Sequence, residues 1–168
     1  MNLQQLNELP EEEAVKAFMR CCGSTRWAKG MAQNRPFDSR DELFDRAESL
    51  WWEFVTLDDW LEACSHHPRI GDIDSLREKF ATTRDWAEGE QQGTAEASEE
   101  TLKKLAAAND AYEANFGYIF IVCATGKSAE EMLAILENRL GNDPDEELRI
   151  AAGEQHKITC IRLEKLLS

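Results

Sequence analysis

Two adjoining stretches decide the fold class: SAEEMLAILENRLG at 128–141 and DPDEELRIAAGEQHKITCIRLEKLL at 143–167. Ser128 and Glu131 form a capping-box pattern, and Gly141 ends the apolar helical repeat that follows. Asp143 and Pro144 are typical of a helix start, because proline fits the first turn of a helix. The second stretch then carries one broad stripe at helical spacing, made of Leu148, Ala151, Ala152, Gln155, Ile158, Thr159, Arg162 and Leu166.

Similar start signals recur through the rest of the chain. Further helices are predicted after Pro10, Ser24, Ser39, Thr56 and Ser98, each of which precedes an apolar repeat of helical period. Tryptophans at helical positions, Trp27, Trp51, Trp52 and Trp60, are expected in the core. No internal repeat or linker interrupts the pattern. The sequence therefore predicts an all-α protein, with residues 1–168 forming a single-domain bundle of about six to seven helices.

Two regions depart from helical periodicity. Residues 68–97 read as a loop with short helical turns. Residues 118–124, YIFIVCA, form a short continuous apolar run, for which periodicity alone cannot separate a strand from a buried non-helical segment. We predict a short extended apolar segment there.

Composition excludes several classes of partner. The chain has 168 residues and a formal net charge of -14. Such a surface repels phosphate backbones and offers no polybasic handle for anionic lipid, so we expect no nucleic acid and no membrane partner. No apolar run approaches the ~20 residues of a membrane span. The opening stretch MNLQQLNELPEEE lacks the features of a secretory signal, and we expect a cytoplasmic location.

The cysteines and histidines favour neither a disulfide framework nor a metal site. The five cysteines are odd in number and include no C-x-x-C, which indicates reduced thiols. With only three histidines, two of them neighbours, we predict no metal site.

One short string, HHPRIGD at 66–72, is unusual. His67 directly precedes Pro68, where a helix must stop, so its ring can point into a cleft. Imidazole is the natural general acid/base near neutral pH. A surface helix end followed by a turn explains the same string.

Two further signals are polar. Glu90 and Gln91, in WAEGEQQG at 86–93, pair a carboxylate with an amide and suit a urea- or imide-rich ligand, although a solvated turn would look the same. Arg162 lies within an otherwise apolar stripe. It either extends to solvent or binds an anion through its planar guanidinium.

Together these strings resemble the family of 2-oxo-4-hydroxy-4-carboxy-5-ureidoimidazoline (OHCU) decarboxylases. The stretches HHPRIGD, WAEGEQQG, FGYIFIVCA and KITCIRLEKLL occur in that family's order and spacing, and RPF at 35–37 and RLGNDPDEELRIAAGEQ are also similar to it. The resemblance covers nearly the whole chain. It implies an all-α, cofactor-independent enzyme, commonly a homodimer, that acts on a small molecule and converts OHCU to (S)-allantoin and CO2, the last step of urate conversion to allantoin.

The resemblance also implies a set of site residues. The family's catalytic histidine falls on His67, with Pro68 beside it, and its Glu-Gln pair falls on Glu90 and Gln91. Its site arginine falls on Arg162. Its main-chain ligand contacts fall on a run of five residues, Phe120, Ile121, Val122, Cys123 and Ala124.

One position departs from the family pattern. Ala87 stands where the family has a serine, so a hydrogen bond from that hydroxyl is absent. We assign His67 as general acid/base, Glu90 as proton carrier or orienting group, and Gln91 and Arg162 as substrate-binding groups.

Two other functions fit the same residues. One is a hydrolase that opens a ureide or hydantoin ring through the same histidine and carboxylate. The other is a non-catalytic helical module that binds the ligand without turnover, for which the departure at Ala87 is the sequence support.

Overall fold

The secondary structure of the described residues is helical. The computed structural model describes residues 1–68, 73–76, 78 and 99–168, and no strand occurs among them. The fold is all-α, as predicted. In the described residues, no helix is both long and apolar enough to cross a membrane.

The part of the chain that the structure describes contains eight α-helices with complete bounds and one π-helical turn. In chain order they are α1 (Leu3–Glu8), α2 (Glu11–Cys21), α3 (Thr25–Gln33), α4 (Arg40–Ser49), the π-helical turn (Leu50–Phe54), α5 (Leu57–Ser65), α6 (Glu99–Phe116), α7 (Ala129–Arg139) and α8 (Pro144–Leu166). Residues 73–76 are also helical. The eight α-helices of the described residues exceed the expected six to seven, because α1 was not predicted from the sequence.

Most helix starts follow from local side-chain capping. The hydroxyl of Ser24 accepts from the Trp27 N–H at 3.2 Å, and complete capping boxes open α5 at Thr56 and α7 at Ser128. At Ser39 only half of a capping box forms. Ser39 accepts from the Glu42 N–H, whereas the Glu42 carboxylate accepts from the N–H of Asp38.

The chain divides into two compact units. The first comprises Met1–His67, Ile121–Cys123 and Arg149–Ser168, and the second comprises Pro68–Phe120 and Ala124–Leu148.

The core of the first unit is built around tryptophans whose indole N–H groups are satisfied by main-chain carbonyls. Trp27 donates to Ala47 at 3.0 Å, and Trp51 donates to Ala152 at 2.9 Å. Because both polar edges are bonded, these rings can be buried without an unsatisfied donor. The expectation that Trp52 is a core residue is wrong: it lies on the π-helical turn and is 41% exposed.

The second unit contains α6 and α7 and a buried charged network. The carboxylate of Glu147 is fully buried and accepts from Nε of Arg139 at 2.7 Å. The Tyr112 hydroxyl donates to the same carboxylate, and the amide of Asn142 donates to its other oxygen at 2.9 Å. The network satisfies both carboxylate oxygens, as a buried charge requires.

The apolar run predicted to be non-helical is confirmed as such. Gly117 ends α6 with φ of +82°, a conformation that glycine adopts without strain. Residues 119–124 then form neither helix nor strand.

Candidate active site

His67 lies just beyond α5, where the chain leaves the helix. The N–H groups of His66 and His67 still donate to the carbonyls of Ala63 and Cys64, at 3.3 and 3.2 Å. Pro68 then follows, and it disfavours helical geometry in the residue before it. The His67 side chain is half-buried, whereas His66 is exposed. The two neighbouring histidines therefore have different environments, and only His67 is partly shielded from water.

Helix α8 supplies the partner of His67. Gln155 is fully buried, and its Oε1 is hydrogen-bonded to Nε2 of His67. One turn later, Oγ1 of Thr159 accepts from Gln155 Nε2 at 3.0 Å and lies 3.0 Å from the main-chain oxygen of Gln155. Arg162 follows on the same face, because residues three and four apart are neighbours on a helix. The contact holds the imidazole against one face of α8.

This environment favours the neutral imidazole. Burial lowers the pKa of His67 below its usual value, and the nearby charges of Arg162 and His66 lower it further. The hydrogen bond with Gln155 acts in the opposite direction, but burial is the larger effect. At neutral pH the ring is therefore uncharged and carries one lone pair that can accept a proton.

Arg162 places a cation close to this neutral ring. Its side chain is half-buried, and Nη1 makes a long contact of 3.4 Å with the carbonyl oxygen of Cys21. In the described part of the chain, no carboxylate pairs with it. A guanidinium has five N–H donors, so most of them are available to an anion or a carbonyl group. An arginine that extends to solvent with a buried stem would also be half-buried, so both interpretations of Arg162 stay open.

Burial disfavours the thiolate form of the two adjacent cysteines, Cys21 and Cys22. Burial raises the pKa of Cys21 to about 11 and that of Cys22 to about 12. Both stay protonated at neutral pH. None of the five cysteines, all of which are described, forms a disulfide.

The segment 121–123 is attached to α8 beside the same site. The N–H of Cys123 donates to Oε2 of Glu154 at 2.7 Å, and Ile121 is 3% exposed. Glu154 directly precedes Gln155, so consecutive residues of α8 hold the backbone at Cys123 and the imidazole of His67. Among the described residues, no three His, Cys, Asp or Glu side chains are grouped so that they could hold a metal ion.

Comparison with known proteins decides the family. The model of the family described as OHCU decarboxylase matches residues 7–164. This chain belongs to the OHCU decarboxylase family. The match covers all the described parts of the site, from Cys21 to Arg162.

Individual relatives agree with this OHCU decarboxylase assignment. The chain is 40% identical over 148 residues to the uric acid degradation bifunctional protein TTL of Arabidopsis thaliana, covering 88% of this chain and 45% of that protein. It is 27% identical over 169 residues to the 2-oxo-4-hydroxy-4-carboxy-5-ureidoimidazoline decarboxylase of Haloferax volcanii, covering 100% of this chain and 97% of that protein. This chain therefore spans less than half of the plant protein and nearly all of the archaeal one.

A solved structure is similar as well. A crystal structure of OHCU decarboxylase in the presence of (S)-allantoin is 37% identical in sequence, with a TM-score of 0.73, and the match covers 95% of this chain and 99% of that one. The all-α fold of the described residues is thus that of an OHCU decarboxylase.

The structure places some of the expected OHCU decarboxylase residues and not others. In the first unit, His67 is bonded to Gln155, the charge of Arg162 acts on the His67 ring, and Cys123 is bonded to Glu154 of the same helix. Ile121 and Val122 belong to this unit as well. In the second unit, Pro68 is exposed, Ala124 is half-buried, and Phe120 lies under Arg139 with Cζ 4.7 Å from the ring centroid. Three expected residues, Ala87, Glu90 and Gln91, lie outside the described residues.

The sequence did not predict that three polar residues of α8 lie at this site: Glu154, Gln155 and Thr159. Gln155 and Thr159 were assigned only to the apolar stripe of α8, although both are polar. Their spacing could have indicated a buried contact, because they lie four residues apart on an otherwise apolar helix face. Buried polar groups need hydrogen-bond partners. Nothing local, however, indicated that the partner of Gln155 is His67.

Proposed function

We propose that this chain catalyses the cofactor-independent decarboxylation of OHCU to (S)-allantoin and CO2, the last step of urate-to-allantoin conversion. The observation that carries the proposal is the arrangement of a half-buried neutral His67 beside Arg162, a cation that no carboxylate pairs with in the described residues. Membership of the OHCU decarboxylase family supports the choice of substrate.

The substrate itself explains why no cofactor is needed. OHCU carries a carboxylate and a hydroxyl on one ring carbon, next to an imine carbon. When the bond to CO2 breaks, its electron pair moves toward the imine, whose nitrogen takes up a proton. The hydroxyl then loses its proton to become a carbonyl, and the adjacent carbon gains one. The substrate is thus its own electron acceptor, and the enzyme has to bind it and move protons.

Each site residue has a task in this scheme. His67 takes the hydroxyl proton and returns a proton to the adjacent carbon, which a neutral imidazole does well near pH 7. Arg162 holds an anionic or carbonyl group of the substrate through its free N–H donors. The peptide groups of 120–124 bind the urea edges of the ring. In this proposal Glu90 carries or orients a proton, and Gln91 binds the substrate.

We further propose that the chain acts as one OHCU decarboxylase domain, forms a homodimer and works in the cytoplasm. The span of the family match, residues 7–164, supports the single domain. The family resemblance supports the homodimer. The lack of disulfides among the five cysteines and the acidic composition support the location. Light scattering after size-exclusion chromatography measures the mass in solution, and a monomeric mass excludes the dimer.

The decisive experiment measures the reaction directly. OHCU is generated in the cuvette by enzymatic oxidation and hydrolysis of urate, and CO2 release and optical rotation are followed together. Rapid formation of dextrorotatory allantoin with one CO2 per substrate is the expected result. Ring opening without CO2 would indicate the hydrolase, and binding without turnover would indicate the non-catalytic module.

Two histidine variants provide the matched control for this assay. His67→Asn removes the proton-transfer group and should lower turnover by roughly 10²–10⁴-fold. His66→Asn changes the exposed neighbour and should be much milder. Equal losses in the two variants would remove His67 from its role.

A further inference from the structure

The two nitrogens of the neutral His67 ring are not equivalent in this structure. Nε2 contacts Oε1 of Gln155, while Nδ1 has no hydrogen-bond partner among the described residues. Which nitrogen carries the hydrogen depends on whether the Gln155 amide presents its oxygen or its NH2 group to the ring.

Thr159 decides how the Gln155 amide is oriented. The Thr159 hydroxyl lies 3.0 Å from the main-chain oxygen of Gln155, which can only accept, so the hydroxyl donates there. Its lone pairs are then left to accept, and the side-chain group 3.0 Å away must be the donor NH2 of Gln155. The amide oxygen consequently faces His67.

An amide oxygen cannot donate, so the nitrogen of His67 that contacts it must carry the hydrogen. We propose that Gln155, oriented by Thr159, is a positioning residue that holds His67 in the Nε2–H tautomer, so that Nδ1 is the atom that takes and returns the substrate proton. The role of Nδ1 in proton transfer rests on the proposed function, whereas the tautomer does not.

The groups around the ring favour the neutral form, for which the tautomer matters. Arg162 on α8 and His66 on α5 both disfavour a second proton on the imidazole. From the end of α2, Cys21 and Cys22 contribute thiols that burial keeps protonated, and Cys22 also interacts with the Thr159 hydroxyl. Among the described residues, no negatively charged group contributes to the pKa of His67.

Nitrogen NMR of the protein tests the tautomer without any assay of activity. With ¹⁵N-labelled histidine, long-range proton–nitrogen spectra distinguish a protonated ring nitrogen from one with a lone pair. The His67→Asn spectrum identifies the signals of His67. At pH values above its titration, we expect protonated Nε2 and unprotonated Nδ1. A protonated Nδ1, or two comparably populated tautomers, would overturn the inference.

Variants of the amide and of its anchor extend the test. Gln155→Leu removes the acceptor and should let both tautomers be populated, with kcat falling about three- to tenfold, as expected for one lost hydrogen bond. Gln155→Glu keeps an acceptor facing the ring, and its charge raises the pKa of His67. At pH values above that raised titration, the Nε2–H tautomer should persist. A single Nε2–H tautomer and unchanged kcat in Gln155→Leu would contradict the positioning role.

Thr159→Val removes the hydroxyl while keeping the branched shape, and the conservative Thr159→Ser keeps the hydroxyl. We expect both tautomers to be populated in Thr159→Val and the wild-type spectrum to be preserved in Thr159→Ser. A wild-type spectrum in Thr159→Val, or mixed tautomers in Thr159→Ser, would count against the inference. If Gln155→Leu fails to fold, the wild-type and Thr159 spectra still decide the question. If the wild-type protein releases no CO2, the proposed function and the role of Nδ1 are both overturned. The NMR measurement of the tautomer would still test whether Gln155 positions the His67 ring.

Discussion

Gly23 and His66 are in such close contact that no side chain fits between them. A Cβ atom added at Gly23 would lie 2.6 Å from Cγ of His66, closer than real Cβ contacts allow. Gly23 does not end α2, because that helix ends at Cys21 with Cys22 as its extended C-cap. The glycine is required for space, because it lets the end of α5 pack tightly next to the catalytic candidate His67.

Gly23→Ala should therefore displace the end of α5 and with it His67. We expect a loss of stability of about 1–3 kcal/mol from overpacking. We also expect kcat to fall about ten- to a hundredfold, because small misplacements of catalytic groups are costly. Thermal unfolding and the CO2 assay measure the two effects. Gly153→Ala, on α8 with open space around it, is the control and should keep full activity. Wild-type kcat in Gly23→Ala would show that the contact does not position His67.

Arg162→Lys tests whether the free guanidinium binds substrate. Lysine keeps the charge but lacks the planar pair of donors, so kcat/KM should fall by about tenfold or more, equivalent to about 1.4 kcal/mol. Arg149→Lys, at an exposed position of the same helix, should have no effect on kcat/KM. If the two variants behave alike in steady-state kinetics, Arg162 does not contact the substrate.

The lowered pKa of His67 predicts how stability depends on pH. Burial keeps the folded ring neutral at pH values where the unfolded histidine, with a pKa of about 6.5, already binds a proton. The unfolded state therefore takes up more protons below about pH 6.5, and stability falls as the pH falls through that window. Melting temperatures measured from about pH 7.5 to about pH 5 should decline more steeply for the wild type than for His67→Asn. Parallel curves would contradict the burial effect.

Glu147→Gln tests the buried network of the second unit. The variant leaves the Arg139 guanidinium, only 8% exposed, without its negative partner. Removing one member of a buried ion pair typically costs about 3–5 kcal/mol, so Tm should fall on the order of 10 °C. The control is Glu146→Gln, which removes the same charge from the same helix turn at an exposed position and should change stability by less than about 0.5 kcal/mol. Similar Tm values for both variants would exclude a structural role for the network.

Glu90→Gln tests a residue outside the described part of the chain. The substitution keeps the size of the side chain but removes its charge and its capacity to carry a proton. We expect a large loss in kcat while (S)-allantoin still binds, as measured by calorimetry. A solvated turn residue would give a nearly silent change, since surface substitutions usually stay within about 0.5 kcal/mol.

Much of the fold could be predicted because helix starts are encoded locally. A hydroxyl at Ser24, Thr56 or Ser128 reaches an N–H three residues along the chain, so the sequence window contains both partners. The apolar repeat after Ser39 predicted α4 but not the change of helix type at its end. At Leu50–Phe54 the chain widens into a π-helical turn, with the Val55 N–H donating to the carbonyl of Leu50 at 3.1 Å. The change of helix type leaves Trp52 exposed, which a regular helical repeat could not predict.

At the site, the candidate base could be predicted from the sequence, but its hydrogen-bond partner could not. Local chemistry alone was enough to select His67 as a candidate base, because the helix must stop before Pro68. That the ring meets Gln155, 88 positions away, depends on how α5 and α8 pack. Residues far apart in the chain pair in this way because polar groups that are buried in a core need hydrogen-bond partners. No periodicity or spacing within a single helix encodes that pairing.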